Sequence, residues 1–283
     1  MAVAAGSFRM LQPGNVAVLL KAAAAGDVLV LVTPPAGGTS LSSADGLMLA
    51  AAVRGVSAVC VCGRAEAAAA VALLGAYTWV SCAEQDGGDP LCAALAGHAA
   101  ARLPVERLPG CASDEIAHAI AERATPVAVP YAVPRDAYRS RSRSAGLTVT
   151  LNGCFDVLHP GHIEFLARAR ALGDRLIVLT NDDLSVQRYK GPTRPIFPLA
   201  FRLRALRALR SVTAAYAFRE DDPLTVLREL RPQIHAKGGS YVEQRVKAEQ
   251  EAVESWGGRL EFLPMVGTYS TTAAVARMAE SGA

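Results

Sequence analysis

Short apolar runs, each followed by an alanine-rich amphipathic stretch, recur along most of the chain, and this alternation leaves few folds open. In the first part "GDVLVLVT" (26–33), "SAVCVCG" (57–63) and "YTWVSCA" (77–83) read as strands, with helical stretches at 42–54, 65–75, 89–101 and 113–123. In the second, "LTVTLNG" (147–153), "DRLIVLTN" (174–181), "TAAYAF" (213–218), "IHAKGG" (234–239) and "LEFLPM" (260–265) alternate with helices at 161–172, 198–210, 222–230 and 242–256. Such an order predicts an α/β architecture with largely parallel strands.

Between the two blocks "TPVAVPYAVPRDAYRSRSRSAG" (125–146) has prolines that end regular structure and an Arg/Ser run suited to an exposed connector. The expected organisation is therefore an α/β domain over 1–128, a linker over 129–146 and a second domain over 147–283. The charge of +3 comes from 29 basic and 26 acidic residues, too balanced to mark a nucleic-acid or membrane surface. No basic start precedes a long apolar run and no stretch reaches membrane-spanning length, so a cytoplasmic protein with no membrane partner is expected. The cysteines Cys60, Cys62, Cys82, Cys92, Cys111 and Cys154 form no CxxC pair and sit mostly in apolar runs, which suits reduced, buried thiols rather than a zinc site.

The blocks resemble one another. "ALLGAYTWVSCAEQDGGDPLCAAL" (72–95) and "RALRSVTAAYAFREDDPLTVLREL" (207–230) share a leucine-bearing helix end, an apolar strand, an acidic turn and Asp-Pro-Leu opening a helix. Two readings stay open: the first block is a degenerate copy of the second, or it is simply another α/β domain.

The chemistry concentrates in "NGCFDVLHPGH" (152–162), where a strand runs into a helix opened by Pro160 and Gly161. A helix N-terminus presents unpaired N–H groups and the positive end of its dipole, His159 and His162 add imidazole donors, and Gly161 lets a ligand approach the backbone. That combination is an anion site. A zinc site would need further ligands, and none is evident nearby.

These residues resemble the HxGH signature of the nucleotidylyltransferase superfamily, whose members have a Rossmann-like α/β domain and join a nucleoside triphosphate to a phosphate-bearing substrate with loss of pyrophosphate. "LGDRLIVLTNDD" (172–183), "RYKGPTRPIFPLAFRLRALRAL" (188–209), "IHAKGGSY" (234–241) and "YSTT" (269–272) occur in the order seen in the adenylyltransferase half of ADP-heptose synthases. The resemblance covers residues 147–278 and implies transfer from ATP, with Mg²⁺, to a sugar 1-phosphate such as D-glycero-β-D-manno-heptose 1-phosphate. In those synthases the partner domain is a longer ribokinase-like kinase, and residues 1–128 carry no kinase anion-hole stretch. If the first block is a transferase copy, its equivalent of the histidine turn is expected near "TPPAGGTSLSSADG" (33–46), which has no histidine.

By resemblance, His159, His162, Lys190 and Arg202 are the catalytic candidates, with Lys190 on a loop and Arg202 facing triphosphate oxygens. Gly153, Cys154, Phe155, Asp156, Gly161, Lys237, Gly238, Gly239, Ser270 and Thr271 are the nucleotide-binding candidates, and Asn181, Asp182 and Asp183 the substrate-binding ones. No direct protein ligand to a metal is expected; Mg²⁺ comes with the triphosphate. Related enzymes often dimerise, so a homodimer is expected. Two alternatives remain: a CTP-dependent cytidylyltransferase for glycerol 3-phosphate or another alcohol phosphate, and a non-catalytic nucleotide-binding scaffold. Relatives acting on glycerol 3-phosphate carry an arginine shortly before their Ser-Thr-Thr, whereas "MVGTYSTT" (265–272) has none, and Tyr269 stands where a smaller residue is expected.

Overall fold

The computed structural model describes most of residues 1–33, 43–63, most of 66–82, 90–105, 146–238, 243–264 and Tyr269. Nearly all of the expected linker, the helix expected at 113–123, and the candidates Gly239, Ser270 and Thr271 lie outside the described residues. The chain divides into two compact units, Met1–Glu122 forming the bulk of one and Arg123–Arg207 with Ser211–Thr271 the other.

In the first unit the order is β1 (Ala2–Gly6), α1 (Pro13–Ala25), β2 (Val28–Val32), α2 (Ser43–Ala51), β3 (Val56–Val61), β4 (Thr78–Cys82), α3 (Pro90–His98) and β5 (Ala101–Val105). All neighbours pair in parallel, in the order β3-β2-β1-β4-β5. The sequence pattern missed β1 and α1, because "AVAAG" has only one β-branched residue and alanine-rich "AVLLKAAAA" shows little periodicity. It also missed β5, "ARLPV", whose Pro104 is tolerated because the strand lies at the sheet edge. Val3, Trp79, Leu91, Cys92 and Leu95 form a buried cluster between β1, β4 and α3.

The second unit contains β6 (Thr148–Gly153), α4 (Pro160–Ala171), β7 (Arg175–Asn181), α5 (Asp183–Lys190), α6 (Leu199–Ala208), β8 (Ala214–Phe218), α7 (Leu224–Leu230), β9 (Ile234–Lys237), α8 (Glu243–Glu254) and β10 (Arg259–Phe262). Its five strands are again parallel, in the order β10-β9-β6-β7-β8. The five central residues of β7 are buried, as a strand covered on both faces requires. Ile177 and Leu179 pack with Phe218, Leu227, Leu230 and Val253 into one core cluster. Both units are thus Rossmann-like α/β folds, as the alternating pattern predicts. Strand order reverses beside β6, so the carboxyl end of β6 lies where open α/β sheets bind ligands.

Candidate active site

After Gly153 the chain must leave β6 and enter α4 within a few residues. Phe155 makes the bend with a left-handed backbone, φ 45°, uncommon for any residue with a side chain. A Cβ at Gly153 would lie 3.0 Å from the Phe155 ring, so the close approach of this bend favours glycine there. Phe155, Val157 and Leu158 are buried and anchor the turn.

His159 then caps α4: its Nδ1 accepts from the backbone N–H of His162 at 3.3 Å, and Pro160 opens the helix. The two imidazoles stack, with centroids 3.7 Å apart and planes inclined by 25°. Phe155 lies 5.3 Å from the His162 ring, and the Tyr269 ring lies near-parallel to His159 at 6.1 Å. A Cβ on Gly161 would come within 3.2 Å of both His159 Nδ1 and the Tyr269 Cβ, so glycine leaves the pair undisturbed.

His162 titrates well below the usual imidazole range, chiefly because burial disfavours its charged form and secondarily because His159 and Lys190 place positive charge nearby. It is therefore neutral near pH 7, and among the described residues its enclosed Nδ1 has no hydrogen-bond partner. Lys190 is exposed and acts on the turn through its charge, which lowers His162 and also opposes the burial that raises the Cys154 thiol. It is the last residue of α5 rather than part of a loop, because Asp182 caps that helix by accepting from Ser185 N at 2.8 Å.

A second polar group lies where β6 and β9 end. Lys237 Nζ donates to Asn152 Oδ1 at 2.7 Å and pairs with Glu249 Oε2 at 2.5 Å. Glu249 also meets His235 Nε2 at 3.2 Å, and the other ring nitrogen of His235 meets Thr150 Oγ1 at 2.8 Å. His235 is fully buried, and burial holds it neutral against the opposing pull of Glu249. Burial alone would raise the Glu249 carboxyl, but the His235 hydrogen bond and the Lys237 ammonium outweigh it and hold it below the carboxylate range. Neutral His235 thus donates to ionised Glu249, which restrains Lys237 with two of its three N–H donors engaged. Asn152 and His235 lie within stretches that carry the resemblance but were not singled out as site residues, and Glu249 carries no motif.

Other candidates do different work. Arg202 is buried, and all five of its N–H donors are engaged: Nε with Phe197 O, Nη1 with Cys154 O and Thr180 Oγ1, Nη2 with Asn181 O and Asp183 Oδ1. It has no donor left for a triphosphate oxygen and instead ties together the ends of β6 and β7, so its expected role is corrected to that of a strut. Asp183 pairs with it and also accepts from Leu199 N, while Asp182 caps α5, so both carboxylates are occupied within the protein. Asn181 donates to Ser185 Oγ at 2.9 Å. Asp156 is buried and accepts from Ile196 N and Phe197 N while pairing with Arg194 at 2.7 Å, which fixes the approach to α6 rather than a ligand. Gly238 is demanded by packing, since a Cβ there would lie 2.5 Å from the Phe165 ring. Among the described residues no group of three or more His, Cys, Asp or Glu could hold a metal ion, and no helix is long and apolar enough to cross a membrane.

Residues 150–277 match the Cytidylyltransferase-like family. The "Bifunctional protein HldE" of Acidiphilium cryptum is 46% identical over 141 residues, 50% of this chain and 28% of that protein. The protein of the same name from Streptomyces coelicolor is 47% identical over 135 residues, 48% of this chain and 29% of that protein. The chain therefore spans less than a third of the length of these relatives. The solved structure of the lipopolysaccharide core biosynthesis protein from Thermoplasma volcanium GSS1 aligns over its full length with 44% of this chain, at 29% identity and a TM-score of 0.37. The stretch that carries the imidazole pair at the mouth of α4 is thus the part of the chain that is similar to the Cytidylyltransferase-like family.

Proposed function

We propose that the second unit transfers an adenylyl group from ATP to a sugar 1-phosphate, D-glycero-D-manno-heptose 1-phosphate, giving ADP-heptose and pyrophosphate. An oxygen of the sugar phosphate attacks the α-phosphorus, the bond from that phosphorus to the β-phosphate bridging oxygen breaks, and pyrophosphate leaves with that electron pair. The nucleophile is already ionised near neutral pH, so positioning and charge stabilisation dominate and no strong base is required.

The observation that carries this reading is the stacked His159–His162 pair at the N-terminus of α4, with an unpartnered Nδ1 on His162 and the positive charge of Lys190 acting on that ring. Both imidazoles, the N-terminus of α4 and Lys190 would bear on the α-phosphate and the leaving pyrophosphate, and Lys237 offers its remaining donor at the end of β9. Mg²⁺ belongs to the nucleotide substrate, held by phosphate oxygens and water, because Asp156, Asp182 and Asp183 are engaged with protein donors. Ser270 and Thr271 would cap the phosphates from the last helix, as the resemblance implies. The same reading sets the protein in the cytoplasm, where nucleoside triphosphates are available, and as a homodimer.

Pyrophosphate release from ATP, CTP, GTP and UTP, each with heptose 1-phosphate or glycerol 3-phosphate, tests the assignment. Release with ATP and heptose 1-phosphate supports it. Release confined to CTP and glycerol 3-phosphate would replace it with the cytidylyltransferase reading, and tight ATP binding without release from any pair would favour a scaffold.

A further inference from the structure

The two sheets have the same parallel strand order once strands are numbered within each unit, third-second-first-fourth-fifth. Their registers coincide as well. Every β1–β2 pair, from Ala2–Val28 to Gly6–Val32, falls on a β6–β7 pair, from Val149–Leu176 to Gly153–Thr180. The β1–β4 pairs Ala2–Thr78 and Val3–Trp79 fall on Val149–Ile234 and Thr150–His235. The pairs Leu29–Ala58 to Val32–Val61 fall on Ile177–Ala214 to Thr180–Ala217, and Thr78–Ala101 to Ser81–Pro104 on Ile234–Arg259 to Lys237–Phe262.

Placed on this register, "AAGSFRMLQPGNVAVLLKAAAAGD" (4–27) lies on "LNGCFDVLHPGHIEFLARARALGD" (151–174) without a gap, and ten of the 24 positions are identical. The bend is the same: Phe8 has φ 44° and Phe155 φ 45°, and Pro13 opens α1 as Pro160 opens α4. Phe8 and Leu11 are buried, as are Phe155 and Leu158. The counterpart of the histidine turn is therefore residues 6–15, not the stretch 33–46 that the sequence suggested. The earlier likeness of 72–95 to 207–230 also shifts, because the register sets β4 against β9 rather than β8.

What differs is the chemistry. Gln12 stands for His159, Asn15 for His162, Ala5 for Asn152 and Ser81 for Lys237. The polar chain Thr150–His235–Glu249 has become Val3 and Trp79 in an apolar cluster with Leu91 and Cys92. Carboxamides do not titrate near neutral pH and bring no positive charge to a phosphate.

We propose that the first unit is an internal copy of the transferase unit from which the triphosphate chemistry has been removed, so that each chain holds one nucleoside triphosphate and not two. This rests on the reading of the second unit as the transferase, and the test separates the two. Equilibrium dialysis of radiolabelled ATP with Mg²⁺ is run on the full chain, on a His159→Gln/His162→Asn variant and on a Gln12→Ala/Asn15→Ala variant, with circular dichroism confirming that each is folded. One site per wild-type chain, lost in the histidine variant and unchanged in the amide variant, is expected. Two sites in the wild type, a site that survives in the histidine variant, or a site lost in the amide variant would overturn the proposal. No binding by the wild type would overturn the one-site count and the transferase reading together, whereas two sites would overturn the proposal and leave the transferase reading standing.

Discussion

Phe8 and Phe155 bend the chain at almost the same left-handed angle, yet one bend leads to Gln12 and Asn15 and the other to His159 and His162. The bend rests on a buried aromatic ring, a buried leucine and a helix-opening proline. To that framework His159 adds the helix cap and His162 adds a ring packed against Phe155 and His159. The left-handed bend at the phenylalanine and the proline that opens the helix are kept while the reactive groups are exchanged, so fold and chemistry separate along the sequence at a few positions.

The largest expected effect is on turnover. His162→Ala should lower kcat by about 10²–10³-fold, the usual cost of removing one donor to a developing charge in a transition state, while Asn15→Ala leaves kcat within twofold. Steady-state pyrophosphate release on the two variants reads the contrast.

Next comes stability at the polar chain of the second unit and its apolar counterpart in the first. Glu249→Leu leaves the Lys237 ammonium without its ionic partner and His235 without its acceptor, and should cost about 3–5 kcal/mol, as does breaking a buried ion pair. Trp79→Ala should cost about as much, through a cavity rather than an unpaired charge. Added salt or a pH change should alter the first loss and not the second in urea unfolding.

The pH dependence has a definite sign. His162 and His235 are neutral in the folded state below the pH at which they protonate in the unfolded chain, so the unfolded state binds more protons as pH falls. Their contribution is present above about pH 6.5, the ordinary imidazole value, and is lost as pH falls from there toward their lowered folded values. Urea midpoints for the second unit should drop between pH 7.5 and 5.5, and His162→Asn should reduce that drop. The corresponding turn of the first unit has no histidine to titrate.

The smallest contrast is between two glycines. A Cβ at Gly14 meets nothing within 4 Å, whereas one at Gly161 reaches His159 Nδ1 and Tyr269 at 3.2 Å. Gly14→Ala should be neutral or stabilise by about 0.4–1 kcal/mol, since only unfolded-state freedom changes. Gly161→Ala should raise KM for the nucleotide by displacing the capping ring, with little change in thermal unfolding.

The histidine turn was legible because H-P-G-H between an apolar strand and a helix has few structural uses. Its counterpart was hidden because the residues that make such a turn recognisable are the two that changed, while the bend itself depends on φ at Phe8, which composition does not reveal. Arg202 was read as a triphosphate ligand from its motif position; its five acceptors come from Phe197, Cys154, Thr180, Asn181 and Asp183, brought together only by the sheet. Asp182 and Asp183 looked like a ligand pair at a strand end, but an aspartate before a helix is also a cap, and Asp182 caps α5. Most strands and helices followed from the apolar pattern; those missed, β1, α1, β5 and α5, are alanine-rich, proline-containing or short and polar, with weak periodicity.

The most direct test copies the chemistry of one turn onto the other: ATP-dependent pyrophosphate release with heptose 1-phosphate, compared between the wild type and the His159→Gln/His162→Asn variant. A folded variant with release reduced by at least about 10³-fold is the predicted result, given the cost of each lost donor. Release within tenfold of the wild type would show that the imidazole pair does not carry the reaction.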